Sequence, residues 1–295
     1  MTPSLGGVDD RPIGMFDSGF GGLSVARALI DLAPRENLIY VGDTGRYPYG
    51  PRSLAEVRAY AVQIGKWLVE EHEVKLVVVA CNTASAAGLG ALQRTLAVPV
   101  IGVIEPGVRS LALATRNRKV GVIGTVGTIS SGAYQRAIGA LAVPLELSCA
   151  ACPGFVEFVE RGDTLSDQVA VLAERLLAPV REAGIDTLLL GCTHYPFLAR
   201  TIADAVGRGV VLVSSADETA FDVRATLVAD RLGRKDAAEG RARFYSSGDV
   251  GWFRSVGSRL FGAELGDVGR VSWPAADPVD DVEPGETGAG MTVTK

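Results

Sequence analysis

The chain has 295 residues, of which 47% are hydrophobic and 21% charged, and its formal net charge is −5. This length can bury one large core or two smaller ones, and the negative charge argues against nucleic acid as the main partner. Apolar runs far shorter than the roughly 20 residues of a membrane span, a start without signal-peptide features and only four cysteines predict a cytoplasmic protein with free thiols and no membrane partner.

Short apolar runs alternate with amphipathic stretches along the chain. The predicted strands are Pro12–Phe16, Asn37–Gly42, Leu76–Ala80, Val100–Val103, Lys119–Gly124, Pro144–Ser148, Thr187–Gly191, Val210–Ser214 and Arg243–Ser246. The predicted helices are Gly22–Leu32, Ser53–Glu71, Thr83–Leu96, Glu105–Ala114, Thr128–Gly139, Asp167–Ala183, Tyr195–Val206 and Asp217–Leu232. This alternation is typical of α/β proteins whose parallel sheets are buried on both faces.

The two halves of the chain repeat one pattern. Asp17, in a glycine-rich turn after a strand, precedes Cys81 by 64 residues, and Thr125 precedes Cys192 by 67. We therefore predict two similar α/β domains with mainly parallel sheets, related by pseudo-twofold symmetry, with the active site in the cleft between them. The first domain would comprise residues 12–98 and about 208–270, and the second residues 99–207. Residues 271–295 are rich in proline, glycine and acidic side chains and are predicted to be a disordered tail.

Two cysteines lie just past the carboxyl ends of predicted strands, where ligands bind in parallel sheets. A single free cysteine is often only a small core residue, but Cys81 and Cys192 occupy equivalent corners of two similar halves. A helix N-terminus lowers the pKa of a thiol towards neutrality. We therefore interpret both cysteines as acid–base groups, and not as metal ligands, because Cys81 brings no second soft ligand.

The remaining cysteines and both histidines have simpler interpretations available. Cys149 and Cys152 have the spacing of a redox pair, but no redox helix evidently follows, which favours structural packing. His194 lies two residues after Cys192 and is either a satisfied histidine at a sheet edge or a group that donates to substrate or tunes the thiol. His72, at a predicted helix end, is interpreted as a surface residue.

The polar residues near the cysteines are complementary to an amino acid. Asp17 and Ser18 offer a carboxylate and a hydroxyl that suit an ammonium group. The turn "DSGFGG" that contains them lacks the glycine spacing of a dinucleotide site and the lysine of a P-loop. Groups that suit carboxylates are supplied by Tyr49, Gly50, Asn82, Thr83, Thr125, Thr128 and Thr193. An acidic amino acid between two thiols indicates stereoinversion at Cα, with one thiolate removing the proton and the opposite thiol returning one.

Seven motifs occur in chain order between about residues 13 and 253: "FDSGFGGLSV", "YVGDTGRYPYG", "ACNTAS", "GVIEPG", "GVIGTVGT", "ACPGFVEFVERG" and "LGCTHYP". With these motifs the chain resembles the glutamate racemases of the aspartate/glutamate racemase superfamily. The resemblance implies an enzyme that uses two cysteine bases and neither cofactor nor metal, and that makes D-glutamate for peptidoglycan. We expect a homodimer whose partner is a small-molecule substrate, glutamate.

The resemblance also implies roles for individual residues. Cys81 would serve D-glutamate and Cys192 L-glutamate, while Asp17 and Ser18 contact the amino group and Asp17 also assists the nearby thiol. Glu160 would support Cys192 together with His194, a role that no spacing indicates. The residues implied to line the substrate site are Tyr49, Gly50, Asn82, Thr83, Thr193 and His194, with Thr125 and Thr128 in a binding turn. Phe20 and Arg46 occupy variable motif positions, and the acidic tail is not a family motif.

Three alternatives stay open at this point. The first is a related racemase of aspartate or hydantoin, or a decarboxylase, on the same scaffold. The second is a protein that binds an amino acid without catalysis, which the presence of both cysteines and Asp17 disfavours. The third is a pyridoxal enzyme, which needs a Schiff-base lysine at its site. None of the five lysines lies at the carboxyl end of a predicted strand.

Overall fold

The structure, a computed structural model, describes residues 9–236 and 238–279. The strands in these residues are β1 (Ile13–Asp17), β2 (Leu38–Gly42), β3 (Leu76–Val79), β4 (Val100–Gly102), β5 (Lys119–Gly124), β6 (Glu146–Ala151), β7 (Thr187–Gly191), β8 (Val211–Val213), β9 (Ala242–Ser246) and β10 (Val268–Arg270). The helices are α1 (Leu23–Leu32), α2 (Leu54–His72), α3 (Asn82–Thr95), α4 (Ile104–Ala114), α5 (Val126–Ser130), α6 (Ala133–Gly139), α7 (Phe155–Arg161), α8 (Asp167–Glu182), α9 (Ala199–Val206), α10 (Ala216–Ala229) and α11 (Val250–Phe261).

The strands form two parallel sheets with the same internal order. The six-stranded sheet has the order β10-β9-β2-β1-β3-β4, and the four-stranded sheet has the order β6-β5-β7-β8. The run β2-β1-β3-β4 therefore repeats as β6-β5-β7-β8, so β1 corresponds to β5 and β3 to β7. This repeat confirms the predicted α/β class with two similar, pseudosymmetric halves.

Alternation of side chains along the central strands explains why helices cover both faces of a sheet. In β3, Leu76 and Val78 pack in the same apolar cluster as residues of α1 and α10. Val77 and Val79 point to the opposite face and pack with α2 and α3. A strand that is apolar at every position therefore lies in the middle of three layers, and its carboxyl end is left as the place where polar side chains can meet.

The strand pairings assign two short strands differently from the predicted domain boundaries. β4 pairs with β3 in the first sheet, and β8 pairs with β7 in the second, whereas the boundaries placed residues 99–207 in the second domain and 208–270 in the first. In each half the fourth strand pairs with the outer edge of the third strand. Strand β4 therefore belongs to the first sheet and β8 to the second. The chain does return to the first sheet, because β9 pairs with β2 and β10 with β9.

Several element boundaries also differ from the prediction. The expected helix over 128–139 is two helices, α5 and α6, because Gly132 between them has a φ of +69°. The helix expected from Tyr195 begins as a 3₁₀ helix, Tyr195–Leu198. Helices α7 and α11 and strand β10 were not among the predicted elements. Within the described ranges no helix combines the length and apolarity of a membrane span.

The predicted disordered tail is wrong for its first residues. Val271 donates its N–H to the Ser246 carbonyl at 3.0 Å and is buried. Trp273 Nε1 donates to Asp43 Oδ1 at 2.7 Å. A proline- and acid-rich composition therefore did not prevent residues 271–273 from packing on the first sheet. Residues 280–295 of the predicted tail lie outside the described residues.

Candidate active site

A cavity of about 120 Å³ lies at the carboxyl ends of the central strands of both sheets. One water needs roughly 10–15 Å³ of such space, so the cavity holds a small molecule. Its walls come from the turns after β1, β3, β5 and β7 and from the loops after β2 and β6. Its lining residues are Asp17, Ser18, Tyr47, Pro48, Tyr49, Gly50, Pro51, Cys81, Asn82, Thr83, Thr125, Val126, Cys152, Pro153, Gly154, Val156, Glu157, Cys192, Thr193 and His194.

On the side of the first sheet, Cys81 is connected to a buried carboxylate through one hydroxyl. Cys81 is the N-cap residue of α3 and lies two residues after the end of β3. Its thiol donates to Ser18 Oγ at 3.8 Å, and Ser18 Oγ donates to Asp17 Oδ1 at 3.5 Å. Asp17 is held in turn by the Gly22 N–H, which donates to Asp17 Oδ2 at 2.8 Å. The order along this side is therefore thiol, hydroxyl, carboxylate.

The surroundings of Cys81 favour its neutral thiol. Burial raises the pKa of Cys81, and the charge of Asp17 raises it further, whereas backbone N–H groups of Ala84 and Ser18 oppose the rise. The sequence predicted a lowered pKa from the helix N-terminus alone. That expectation is wrong because desolvation of the thiolate and a nearby carboxylate outweigh the helix dipole.

On the side of the second sheet, Cys192 is connected to a buried carboxylate through an imidazole. Cys192 Sγ lies 3.9 Å from His194 Nδ1, and His194 Nε2 lies 3.2 Å from Glu160 Oε1. Burial lowers the pKa of His194, but the hydrogen bonds to Cys192 and Glu160, with the charges of Cys192 and Asp17, raise it to about 10. A positively charged imidazole beside Cys192 stabilises negative charge on that sulfur.

The turn after β1 reaches across to this second side. A Cβ at Gly21 would overlap the side chains of Thr193 and His194. Gly22 is equally confined, by Asp17 and Tyr40. Gly21 therefore allows the two halves to approach each other at the cavity, whereas Gly22 allows close packing within the first half.

Three threonine hydroxyls meet where the two halves face each other. Thr83 Oγ1 lies 2.9 Å from Thr125 Oγ1 and 3.1 Å from Thr128 Oγ1, and Thr125 Oγ1 lies 3.0 Å from Thr128 Oγ1. Nearby, the Gly127 N–H donates to the Gly50 carbonyl at 2.9 Å. Thr83 belongs to the first half and the other two threonines to the second, so these contacts join the halves at the cavity wall.

Two other predicted residues line the cavity but have most of their polar groups engaged elsewhere. Asn82 Nδ2 donates to the Tyr134 hydroxyl at 2.7 Å, while Asn82 Oδ1 is buried and has no partner among the described residues. Asn82 therefore lines the cavity with its amide nitrogen engaged by the other half. The Tyr49 hydroxyl donates to Asp43 Oδ2, so Tyr49 contributes its ring to the wall.

The predicted site residues are brought together around this cavity. All of them line it except Thr128, which lies behind Thr83 and Thr125, and Glu160, which lies behind His194. Sequence reasoning missed the lining residues Tyr47, Pro48, Pro51, Val126, Cys152, Pro153, Gly154, Val156 and Glu157. The motifs "RYPYG" and "ACPGFVEFVERG" contain most of these positions, but no spacing rule distinguishes them from ordinary loop residues.

Among the missed residues, Tyr47 brings a further hydroxyl. The hydroxyl oxygen of Tyr47 is buried and makes no hydrogen bond of standard geometry within the described residues. Burial, and then the charge of Glu160, raises the pKa of Tyr47. Tyr47 therefore lies on the Cys192 side as a neutral phenol.

All four cysteines are free. Burial raises the pKa of Cys149 to about 11 and that of Cys152 to about 12, so both favour the neutral thiol. Cys152 nevertheless lines the cavity, which the packing interpretation did not foresee.

His72 is half-buried, and its ring packs edge-on against Trp67. No group of three or more potential metal ligands occurs within residues 9–236 and 238–279.

Comparisons with known proteins agree on one family. The Asp/Glu/Hydantoin racemase family model matches residues 13–221. A glutamate racemase of Acidothermus cellulolyticus is 53% identical over 258 residues, which cover 87% of this chain and 97% of that protein.

Solved structures of glutamate racemases share the fold. One from Bacillus anthracis has a TM-score of 0.83 at 39% identity, covering 90% of this chain and 97% of that one. One from Francisella tularensis, solved in complex with D-glutamate, has a TM-score of 0.84 at 35% identity, covering 90% and 98%. The chain therefore belongs to the Asp/Glu/Hydantoin racemase family and, within it, to the glutamate racemases, which are isomerases.

Proposed function

We propose that this chain interconverts L- and D-glutamate by two-base proton transfer between Cys81 and Cys192, without a cofactor. The observation that carries the proposal is the pair of thiols at corresponding strand ends, β3 and β7, both lining one cavity. A proton leaves one face of Cα and another arrives on the opposite face, and each transfer needs a group within hydrogen-bond reach.

The reaction in the L to D direction begins at Cys192. Its thiolate, beside the cationic His194, removes the Cα proton of L-glutamate. The Cys81 thiol then returns its own proton to the opposite face, and the products are D-glutamate, a Cys192 thiol and a Cys81 thiolate. Proton exchange with solvent restores the first state. The unequal surroundings of the two sulfurs suit these starting forms, and the reverse reaction exchanges them.

Substrate binding uses the other predicted residues. Asp17 and Ser18 contact the ammonium group, and Asn82 is a further polar residue of the cavity lining. The carboxylates are bound by Thr83, Thr125 and Thr193 together with the backbone at Gly50. His194 serves both the substrate and Cys192, with Glu160 behind it. Thr128 orients the first two threonines and Tyr49 shapes the wall.

The residues present support the proposed cofactor independence. A pyridoxal mechanism needs a lysine at the site, and none of the lysines within the described ranges lines the cavity. Lys75, for example, is engaged by Glu36 at 2.5 Å. We therefore expect full activity in protein treated with chelator and free of pyridoxal phosphate.

The decisive experiment is racemisation of unlabelled L-glutamate in deuterated water, stopped at a few per cent conversion. Thiols are monoprotic, so D-glutamate should carry deuterium at Cα while recovered L-glutamate stays largely unlabelled. The readout is Cα deuterium in each enantiomer after chiral separation. Equal early labelling of both enantiomers would contradict two monoprotic bases, provided that the first thiol exchanges more slowly than the intermediate collapses. Aspartate, tested in parallel, should react at least about tenfold more slowly.

The cellular role proposed for the product is supply of D-glutamate for peptidoglycan synthesis and cell shape. A strain depleted of this chain should then need external D-glutamate for growth, and growth without it would contradict the role. We further propose that the protein acts in the cytoplasm as a homodimer. Cell fractionation and sedimentation of the purified protein test these two points, and a membrane-bound or strictly monomeric active form would overturn them.

A further inference from the structure

The segment after β10 lies against the loop that forms one wall of the cavity. Trp273 Nε1 donates to Asp43 Oδ1 at 2.7 Å. Asp43 directly follows β2 and is fully buried, but it does not line the cavity. Trp273 lies beyond residues 13–221, which the family model matches. A residue outside the matched region is thus bonded to the loop that leads into the site.

Asp43 is the point at which four donors meet. Oδ1 accepts from Trp273 and from Ser247 Oγ, the latter at 2.6 Å. Oδ2 accepts from Arg46 Nε at 2.7 Å and from the Tyr49 hydroxyl. A carboxylate has about four lone-pair sites, so Asp43 is fully satisfied. A buried carboxylate that loses a donor is destabilised in that position.

The connection continues from Asp43 to the substrate cavity. Tyr49 is 1% exposed, and its ring lines the cavity. Burial, and then the charge of Asp43, raises the pKa of Tyr49, so its hydroxyl remains a donor to that carboxylate. The next residue, Gly50, accepts the Gly127 N–H of the other half at 2.9 Å. The wall formed by Tyr49 and Gly50 is therefore fixed from behind by Asp43.

We propose that Trp273 is a positioning residue that acts through Asp43 to hold Tyr49 and Gly50 in place for substrate binding. The inference rests on the proposed function, in which this cavity binds glutamate. The two reacting sulfurs follow β3 and β7, and within the described residues their side-chain partners are Ser18 and His194, neither of which belongs to this loop. Loss of the Trp273 contact should therefore weaken substrate binding more than it slows proton transfer.

Trp273 also packs with aromatic and cationic neighbours, and a test must separate that packing from the hydrogen bond. The Arg46 guanidinium lies 5.3 Å from the Trp273 ring and 4.1 Å from the Tyr60 ring. Trp67 meets the Trp273 ring edge-on at 5.6 Å. Trp273→Phe keeps an aromatic ring but removes the N–H. Trp67→Phe perturbs the same aromatic cluster and leaves the donor to Asp43 intact, so it is the matched control.

The experiment measures kcat and KM for both glutamate enantiomers in the full-length protein and these two variants, with thermal unfolding of each. Trp273→Phe should raise KM about three- to tenfold, the range of one ordinary hydrogen bond. It should change kcat less than about twofold, because the lost contact supports the cavity wall and not the reacting sulfurs. Trp67→Phe should leave KM within about twofold of the wild-type value. An unchanged KM in folded Trp273→Phe, an equal loss in kcat, or the same KM rise in Trp67→Phe would overturn the inference.

Ser247→Ala provides a second test through the same oxygen, should Trp273→Phe not fold. It removes the other donor to Asp43 Oδ1 and should also raise KM, and an unchanged KM would count against the connection. When both single variants fold, their double variant should be non-additive, since the two donors share one acceptor. Wild-type protein that does not racemise glutamate would refute the proposed function. If the wild-type protein is active but the KM does not change in these variants, only the role of Trp273 is refuted.

Discussion

The two sides of the cavity have the same order of groups and differ in the polar group that links each thiol to its carboxylate. Each thiol is followed by one polar group and then by a buried carboxylate: Ser18 and Asp17 behind Cys81, His194 and Glu160 behind Cys192. A serine hydroxyl does not become charged near neutral pH, whereas the pKa of His194 is raised to about 10. The two pseudosymmetric halves therefore give their sulfurs different electrostatic surroundings.

Removal of either sulfur should have the largest effect on the racemisation rate. Cys81→Ala and Cys192→Ala should each lower racemisation about 100- to 10,000-fold, because a positioned acid or base contributes that much. Both side chains are small, so circular dichroism and thermal unfolding should show a folded protein. A variant that retains more than about a tenth of the wild-type rate would remove its cysteine from the mechanism.

The charged link on the Cys192 side predicts a particular pH dependence. A raised pKa means that the imidazolium is present below about pH 10 and is lost as the pH rises through that value. Glu160→Gln removes one of the groups that raise this pKa, so the alkaline fall in kcat should move to lower pH. At neutral pH, kcat should fall about 10- to 100-fold.

The measurement is kcat for L-glutamate from pH 6 to 10.5, a range set by the usual histidine pKa of about 6.5 and the raised value. His72→Gln is the control, because burial lowers the pKa of His72 and its ring packs against Trp67, outside the cavity lining. This control should retain the wild-type profile. A Glu160→Gln profile with its alkaline limb unmoved would show that Glu160 does not govern His194.

The uncharged link on the Cys81 side predicts an effect on thiol reactivity. After burial, the charge of Asp17 is the largest cause that raises the pKa of Cys81. Asp17→Asn should therefore lower that pKa and speed alkylation of Cys81 by iodoacetamide at pH 8 about three- to tenfold, since one pKa unit is tenfold in thiolate. Racemisation should fall at the same time, because the substrate ammonium loses its counter-charge.

Peptide mass spectrometry resolves each cysteine, so Cys149 serves as an internal reference. Burial alone raises the pKa of Cys149, and its alkylation rate should not change in Asp17→Asn. Slower labelling of Cys81, or equal acceleration at both cysteines, would contradict a specific effect of the Asp17 charge. Equal acceleration would instead indicate a general opening of the protein.

The smallest expected effect concerns Tyr47. Its hydroxyl lies on the Cys192 side without a standard hydrogen bond among the described residues. Tyr47→Phe should lower kcat/KM about two- to fivefold, the range of one neutral hydrogen bond, and leave the unfolding temperature nearly unchanged. Tyr60→Phe, whose ring contacts Arg46 outside the cavity lining, is the matched control. Equal effects in the two variants would deny Tyr47 any role at the site.

The sequence was informative wherever local pattern determines structure. Apolar runs of four or five residues identified β1, β3 and β7, because a strand covered on both faces is apolar at every position. Asp17 is the last residue of β1, and Cys81 and Cys192 come within two residues of the ends of β3 and β7, so all three lie at the carboxyl ends of the two sheets. Fold class and the centre of the site follow from these two facts.

What the sequence did not reveal depends on contacts between distant residues. Three-residue strands such as β4 and β8 fit either sheet until the pairing partner is known. Glu160 has the pattern of a solvated helix residue, and only the position of His194 makes it part of the site. The raised pKa of Cys81 depends on burial and on Asp17, neither of which a helix start reveals.

The three threonine hydroxyls between the halves restrict what may bind there. Each of the three hydroxyls has one hydrogen to donate. The three mutual contacts among Thr83, Thr125 and Thr128 use all three hydrogens. A ligand oxygen can receive one only when this closed ring opens. Charge-assisted hydrogen bonds are about twice as strong as neutral ones, so a carboxylate compensates for the opened ring better than an amide does. Competition between glutamate and glutamine measures that difference. We therefore expect the three hydroxyls to favour anionic ligands, although they carry no charge themselves.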